Sequence, residues 1–245
     1  MVSVTLSGLS LAPVEPSDED GIRQWYELRS AVISVDAPDD PPPCWVDQLG
    51  GFRYPWPGRL ESLWVARVAG SVVGGCLLRL PMLEDQHNAE GEILVAPERR
   101  RRSIGRTLLA HLRAEAIRQG RVRLVFWVQH PLAPAATDQA ARFATASGAR
   151  PALNETLRRL DVGSVDPAVL ARLNEQAQAK SRGYSLVQWV GSTPQRWLDD
   201  IAYLAGRMFT DAPLDGLQWN PELYDAARIQ AHDARSLARG LHMVT

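Results

Sequence analysis

The feature that most constrains this 245-residue chain is a segment in which an apolar strand turns through a basic loop into an amphipathic helix. The strand ends at Val95-Ala96, and Pro97, which has no backbone N–H, ends its ladder. Arginines follow, and Ser103 and Gly105 then open a helix with one apolar face. That face consists of Leu108, Leu109, Leu112, Ala116 and Ile117. The segment therefore predicts a helix N-terminus beside the end of a buried strand.

This arrangement predicts a site for a pyrophosphate group. A helix N-terminus has unpaired amide donors and about half a positive elementary charge, which together favour phosphate oxygens. Arg100–Arg102 and Arg106 add charge and hydrogen bonds, and Gly105 lets a phosphate approach the backbone without a Cβ in the way. Lys180 is the only lysine, so the arginines also reflect a bias of the whole chain. The alternative interpretation is an arginine-rich surface loop without a ligand.

Composition and charge exclude several classes of protein. The net charge is −1, and no second basic stripe or set of interleaved aromatic residues accompanies the arginine run, so nucleic-acid binding is not predicted. Residues 1–11 lack the pattern of a signal peptide, and no apolar run approaches the ~20 residues of a membrane span. Cys44 and Cys76 form no CxxC metal spacing and no disulfide framework. We therefore expect a cytoplasmic protein with no metal and no membrane partner.

Hydrophobic periodicity predicts a mixed α/β order of elements over the first two thirds of the chain. The predicted strands are residues 7–13, 62–68, 72–80, 90–96, 121–129 and 153–162. The predicted helices are residues 18–35, 44–50, 103–119 and 137–147. Ser17 is the predicted N-cap of the first helix, and Ala69-Gly70-Ser71 is typical of a hairpin turn. This order predicts a mostly antiparallel sheet covered by helices.

Two short sequence matches indicate an internal repeat. Gly8-Leu9-Ser10-Leu11 corresponds to Gly183-Tyr184-Ser185-Leu186, and Asp36-Ala37-Pro38 corresponds to Asp211-Ala212-Pro213. Both matches have the same separation along the chain, without a gap. The second copy is therefore predicted to begin again with a strand followed by helices.

The repeat predicts three parts of the chain: a first domain at residues 1–163, a helical linker at 164–182, and a partial second copy at 183–245. The second copy contains only a predicted strand at 184–190 and predicted helices at 194–209 and 221–239. A strand and two helices cannot close a hydrophobic core. This part must therefore pack on the first domain, on a partner chain such as the second subunit of a homodimer, or on further elements of the repeat.

The basic turn resembles motif A of the GNAT N-acetyltransferases, where an Arg/Gln-x-x-Gly-x-Gly/Ala turn binds the pyrophosphate of coenzyme A. Arg100-Arg101-Arg102-Ser103-Ile104-Gly105 matches it at Arg100 and Gly105, and Ser103 replaces the first glycine. The predicted strand order is similar to that of the family as far as about residue 162, and the repeat resembles a tandem GNAT protein. The resemblance implies an acyl-CoA N-acyltransferase fold with a splayed β4/β5 pair, followed by an incomplete second GNAT repeat.

The resemblance also implies a reaction, in which a small-molecule amine directly attacks the thioester of acetyl-CoA, the acyl donor substrate. Val95 matches the family position whose backbone contacts the acetyl–pantetheine arm. The implied cofactor-binding residues are Leu94, Val95, Arg100, Arg101, Arg102, Ser103, Ile104, Gly105 and Arg106.

The general base is less clearly indicated by the sequence. Glu90 and Glu92 are tentative candidates on the strand that enters the basic turn. Strand parity places both on the face opposite Val95, unless a β-bulge redirects one of them. For each glutamate a solvent-facing position is an equally supported interpretation. His87 and His130, in loops next to strands, are further candidates.

Departures from the family pattern leave a second function open. Ala144 stands where many members have a tyrosine acid, and Thr137 replaces an asparagine of the same pattern. The alternative to an active enzyme is thus a catalytically degenerate domain that binds acetyl-CoA or CoA as a scaffold or sensor. A group of aromatic residues is predicted to form either the acceptor wall or ordinary core: Trp25, Tyr26, Trp45, Tyr54 and Trp56. Nearby acids are interpreted either as attracting a cationic amine or as turn formers: Asp36, Asp39 and Asp40.

Overall fold

A computed structural model of the chain describes residues 8–129, 138–211, 213–241 and 243–245. Its centre is one five-stranded sheet with the strands in sequence order: β1 (Leu9–Val14), β2 (Arg59–Val68), β3 (Ser71–Pro81), β4 (Asn88–Val95) and β5 (Arg123–Phe126). The first four strands are antiparallel to their neighbours, and β5 is parallel to β4. The helices are α1 (Glu19–Asp36), α2 (Trp45–Arg53), α3 (Ile104–Arg118), α4 (Gln139–Ala146), α5 (Pro167–Lys180), α6 (Leu198–Asp211) and α7 (Ala226–Ala238). The predicted mixed α/β class with a mostly antiparallel sheet is confirmed.

Two adjacent glycines of β3 let one helix pack closely on each face of the sheet. A Cβ at Gly75 would lie 3.0 Å from the ring of Trp25 on α1, whose side chain is fully buried. A Cβ at Gly74 would lie 3.2 Å from side-chain atoms of Ile104 and Leu108 on α3. Because α3 approaches the sheet so closely, its N-terminus lies beside the carboxyl end of β4.

The parallel pair formed by β4 and β5 opens before β4 ends. Pairing runs from Asn88 opposite Arg123 to Gly91 opposite Phe126, where β5 stops. β4 continues to Val95, so the two strands separate from Glu92 onward. The prediction of a splayed pair is confirmed. We define the splayed gap as the space beside residues 92–95 of β4 that β5 leaves open.

Three local predictions are wrong. No strand forms over the predicted range 153–162, and its apolar residues such as Leu157 are exposed. The predicted strand at 184–190 contributes one isolated bridge, between Val190 and Val244. Alternating apolar residues form a strand only where a free sheet edge accepts their backbone, and neither segment lies along one. The N-cap of α1 is Asp18, which accepts a hydrogen bond from the Gly21 amide, and not Ser17.

The C-terminal helices α6 and α7 pack on each other through Leu198, Ala202 and Ile229. The segment between them is hydrogen-bonded to the loop between β3 and β4. The buried Asp85 carboxylate accepts bonds from both the backbone amide and the side-chain amide of Asn220, at 2.9–3.0 Å. The C-terminal part of the chain therefore packs against the five-stranded domain, which is one of the three predicted arrangements.

No helix in the described ranges is long and apolar enough to cross a membrane.

Asp85→Asn is expected to lower the free energy of unfolding by about 1–3 kcal/mol, because it replaces a buried acceptor with a group that also presents donors. Asparagine tolerates the left-handed backbone of Asp85 (φ 48°), so strain does not confound the measurement. Denaturant unfolding, with hydrogen exchange over residues 213–241, reports the loss. Asp215→Asn is the matched control, since Asp215 is also left-handed (φ 45°) but exposed. Equal stability of the two variants would contradict the predicted anchoring role.

Candidate active site

The basic turn forms an open set of backbone donors. A short 3₁₀ turn at Pro97–Arg99 leads into two left-handed residues, Arg101 (φ 61°) and Ser103 (φ 63°), before α3 begins at Ile104. Ser103 makes no side-chain cap. Within the described ranges, the backbone amides of residues 101–106 donate to no protein acceptor. Consecutive amides in such a turn converge on one point and favour an anion there.

The arginines of the turn divide into two groups. Arg101, Arg102 and Arg106 are exposed, and none forms an ion pair with another described residue. The Arg100 side chain instead forms two hydrogen bonds to Asp36 at 2.7 and 2.8 Å, and its Nε donates to the Val95 carbonyl at 3.4 Å. The structure thus differs from the expectation that the Arg100 guanidinium faces the ligand. Its ion pair ties the turn to the end of α1.

Gly105 lies in a space that the protein itself does not fill. A Cβ at this position would lie 3.5 Å from the Phe143 ring and 3.7 Å from Val95, both of which are ordinary contact distances. Packing of α3 against α4 therefore does not require glycine here. The absent side chain leaves room between Val95, Phe143 and the free amides, as a bound pyrophosphate would require.

The backbone amides of β4 point alternately toward β3 and away from it, and this alternation determines which of them face the splayed gap. The Ala96 amide donates to Val73 of β3 at 3.1 Å, so the backbone of Ala96 and of Leu94 is directed toward β3. The backbone of Ile93 and Val95 is directed to the other side, where β5 has ended. The backbone of Val95 therefore faces the splayed gap. The side chain of Leu94 is buried under α1, and its amide belongs to the β3–β4 ladder.

A cavity of ≈ 460 Å³ lies on the α1 side of the sheet. We call it the arginine cavity, after the most frequent charged residue in its wall. It is lined by Arg29, Ile33, Pro41, Pro43, Cys44, Asp47, Gln48, Gly51, Phe52, Trp56, Arg59, Glu61, Leu77, Arg79, Arg235 and Arg239. The wall therefore combines α1, α2, the sheet and α7.

Glu92 lies where the arginine cavity and the splayed gap meet. It is the first β4 residue beyond the pairing with β5, and its carboxylate contacts Arg29 at 2.6 Å and Arg79 at 3.3 Å, both of which line the cavity. Glu90 pairs with Arg59, another lining residue, at 3.3 Å, but it lies opposite Val125 in the part of β4 that is still paired with β5. β3 and β4 pair without a register shift, so the expected β-bulge is absent from this pair and both glutamates stay opposite Val95.

The remaining candidate residues lie in different parts of the structure. His87 is about 4.0 Å from Asp85 in the β3–β4 loop, away from the cavity lining. His130 and Thr137 lie outside the described residues. Asp36 is paired with Arg100, and Asp40 with Arg159 at 2.9 Å. These two acids are therefore already neutralised by arginines.

The aromatic group divides between core and cavity. Trp25 is a core residue, and Tyr26 packs edge-on against Trp45 with 5.4 Å between ring centroids. Trp56 lines the arginine cavity, whereas the exposed Tyr54 does not. Both alternatives for this group are thus realised, at different residues.

Several cavity residues were missed by the sequence analysis: Asp47, Glu61, Arg235 and Arg239. Arg235 lies in the last turn of α7 and Arg239 is its C-cap residue, one helical turn later. The sequence therefore indicated that both side chains share one face. Nothing local indicated that this face covers a cavity far back along the chain. The sequence analysis also missed the amide of Ile93. Ile93 lies two residues before Val95 on the same strand, so its amide is expected to face the same side.

Comparison with known proteins identifies the family of the domain that contains this site. The acetyltransferase (GNAT) family matches residues 22–143. A solved tandem GNAT protein from the clavulanic acid biosynthesis pathway is 29% identical, with a TM-score of 0.68 over 95% of this chain and 67% of that chain. An aminoglycoside acetyltransferase from an uncultured soil metagenomic sample is 16% identical, with a TM-score of 0.49 over 63% of this chain and 98% of its own. No curated protein matches the chain. Residues 22–143 form an acetyltransferase domain of the GNAT family.

Proposed function

We propose that this protein transfers the acetyl group of acetyl-CoA directly to the amine of a small molecule. The observation that carries the proposal is the run of unpaired backbone amides at residues 101–106, beside a gap between two strands. Unpaired donors at a helix start are costly unless water or a ligand satisfies them. A pyrophosphate with an extended arm that enters the gap matches both features at once.

The diphosphate of acetyl-CoA would be held mainly by the backbone of the turn. The amides of residues 101–106 supply donors, and the exposed guanidinium groups of Arg101, Arg102 and Arg106 supply charge. Gly105 leaves the space for the phosphate oxygens. Arg100 would act indirectly, because its ion pair with Asp36 fixes the turn.

The acetyl end of the donor would lie in the splayed gap. The amides of Ile93 and Val95 face this gap, and hydrogen bonds from such amides to the thioester oxygen become stronger as negative charge develops on it. This gives the splayed strands a chemical role, since fixed donors stabilise the tetrahedral intermediate without reorganisation. The open side of the gap borders the arginine cavity, which we assign to the acceptor.

The reaction then proceeds by direct attack. The amine nitrogen forms a bond to the thioester carbon, the C–S bond breaks, and the sulfur leaves as thiolate. We assign the general base to Glu92, because its carboxylate lies between the gap and the cavity. Glu92 must exchange part of its contact with Arg29 or Arg79 for the amine proton. With Ala144 at the position of the family tyrosine, water would protonate the thiolate.

A second candidate function is favoured by two observations. The Glu92 carboxylate already contacts two arginines, and Ala144 cannot act as an acid. Both fit a domain that binds acetyl-CoA without transferring its acetyl group, as a scaffold or sensor. The division into a first domain at 1–163, a linker at 164–182 and a second repeat at 183–245 is likewise proposed.

Two measurements test the proposal. Calorimetric titration with acetyl-CoA is expected to show one tight site, and a panel of primary amines is expected to stimulate release of free CoA thiol. Binding without stimulated release by any amine would favour the scaffold or sensor. Absence of binding would refute both functions.

A further inference from the structure

Arginine is the most frequent charged residue in the wall of the arginine cavity. Five of its lining residues are arginines, and two are carboxylates, Asp47 and Glu61. An arginine of this wall that has no carboxylate partner would be a site for a negative group on the acceptor.

Four of the five arginines have carboxylate partners. Arg29 pairs with Glu92, Arg79 pairs with Glu61 and Glu92, Arg59 pairs with Glu90 and Glu222, and Arg239 pairs with Asp47. Arg235 forms no ion pair with any residue in the described ranges. Among the described residues, Arg235 is therefore the lining arginine that has no carboxylate partner.

Arg235 is held in one orientation by two contacts. Its Nε donates to the Tyr54 carbonyl at 2.8 Å, and its guanidinium lies over the Trp56 ring, 5.0 Å from the centroid. Its two terminal nitrogens have no protein acceptor among the described residues. Partial burial lowers the pKa of Arg235 and the nearby Arg239 adds to this effect, while Glu61 and Asp47 act in the opposite direction.

The neighbouring Arg239 lies on the same side of the cavity. It is the C-cap residue of α7, one helical turn after Arg235, and both residues line the cavity. The guanidinium of Arg239 is already paired with Asp47. A negative group on the acceptor would therefore bind to Arg235.

We propose that the acceptor is a small amine bearing a carboxylate, and that Arg235 binds this carboxylate. The proposal rests on the assignment of the arginine cavity to the acceptor. A planar guanidinium matches a carboxylate through two parallel hydrogen bonds, and Trp56 beneath it keeps the plane fixed. The volume of ≈ 460 Å³ accommodates a small amino acid or a compound of similar size.

This inference gives the C-terminal helices a function. Arg235 and Arg239 lie well beyond the part of the chain that matches the GNAT family, residues 22–143. The family domain would supply the donor site and the reacting groups, while α7 would supply acceptor recognition. Selectivity would then be altered by α7 without any change in acetyl-CoA binding.

The test uses acceptors in matched pairs. Free amino acids, among them glycine, β-alanine and 4-aminobutyrate, are compared with their carboxamides in the CoA-release assay with the full chain. Wild type is expected to prefer the carboxylate form by about tenfold or more in kcat/KM. Arg235→Gln is expected to reduce this preference to about twofold or less, with acetyl-CoA affinity unchanged. Arg196→Gln is the matched control, since Arg196 also stacks on a tryptophan, Trp197, but does not line the cavity.

A binding measurement separates this inference from the proposed reaction. If no amine stimulates CoA release, calorimetry with the same amino acids and carboxamides as probes still reports whether the cavity prefers a carboxylate and whether Arg235→Gln abolishes the preference. Tighter binding of the carboxylate forms supports the inference even without catalysis. Equal or better use of the carboxamides by wild type, or an unchanged preference in Arg235→Gln, overturns it.

Discussion

Gly105→Leu is expected to weaken acetyl-CoA binding by about 100-fold or more and to leave the fold intact. The added side chain would occupy the space between Phe143, Val95 and the free amides, and exclusion of a pyrophosphate loses several charge-assisted hydrogen bonds, together worth about 3 kcal/mol or more. A Cβ at this position meets its neighbours at 3.5 Å or more, so the backbone accepts a side chain here without a close contact at the Cβ. Leucine also has a higher helix propensity than glycine. Calorimetric titration with acetyl-CoA measures the loss, and thermal unfolding without ligand measures stability.

Ala110→Leu is the matched control for this variant. Ala110 lies on the exposed side of the same helix, away from its N-terminus. The substitution adds a leucine side chain to α3 without approaching the turn. We expect wild-type affinity for acetyl-CoA from Ala110→Leu. Comparable affinities for the two variants would contradict the assignment of the pyrophosphate to this turn.

Glu92→Gln is expected to lower kcat by about 10²- to 10⁴-fold, the usual contribution of a positioned general base. Glutamine keeps the shape of the side chain and retains one of the two acceptor oxygens that contact Arg29 and Arg79, but it cannot take the amine proton. Affinity for acetyl-CoA is expected to stay near that of wild type, because Glu92 is directed away from the turn. Steady-state kinetics with a primary amine measures kcat, and calorimetric titration measures the affinity for acetyl-CoA.

Glu90→Gln provides the comparison for this experiment. Glu90 is two residues away on the same face of β4 and is also paired with an arginine, Arg59, but it lies in the part of β4 that is paired with β5. If these carboxylates had only a structural role, Glu92→Gln and Glu90→Gln would lower kcat by similar factors. If Glu92→Gln retains its turnover, a different group accepts the proton.

Much of the donor site was predictable because its determinants are local in sequence. A strand that ends at Val95-Ala96, a proline, and a helix that opens near Gly105 lie within a few consecutive residues. Turn and helix-start preferences act over this range, so the free amides and the glycine follow from the sequence. The order of the strands was readable for the same reason.

The side chains of this site depended on distant partners. Arg100 was predicted to face the ligand, but Asp36 at the end of α1 binds its guanidinium. The choice between Glu90 and Glu92 depends on where β5 stops and on which arginines surround each carboxylate. Residues 153–162 have a strand-like pattern, but without a free sheet edge beside them they remain irregular. Patterns along the chain contain no information on such contacts.

The sequence by itself determined the α/β order and the backbone of the basic turn, while the splayed strand pair was expected only from the resemblance to the GNAT family. The first two features arise from periodicity, proline and glycine, which act on neighbouring residues. Only the tertiary structure decided how the acceptor side is built, because Trp56 of one segment and Arg235 of a distant helix meet there by packing. Charge recognition depends on distances between side chains, and those distances exist only once the chain has folded.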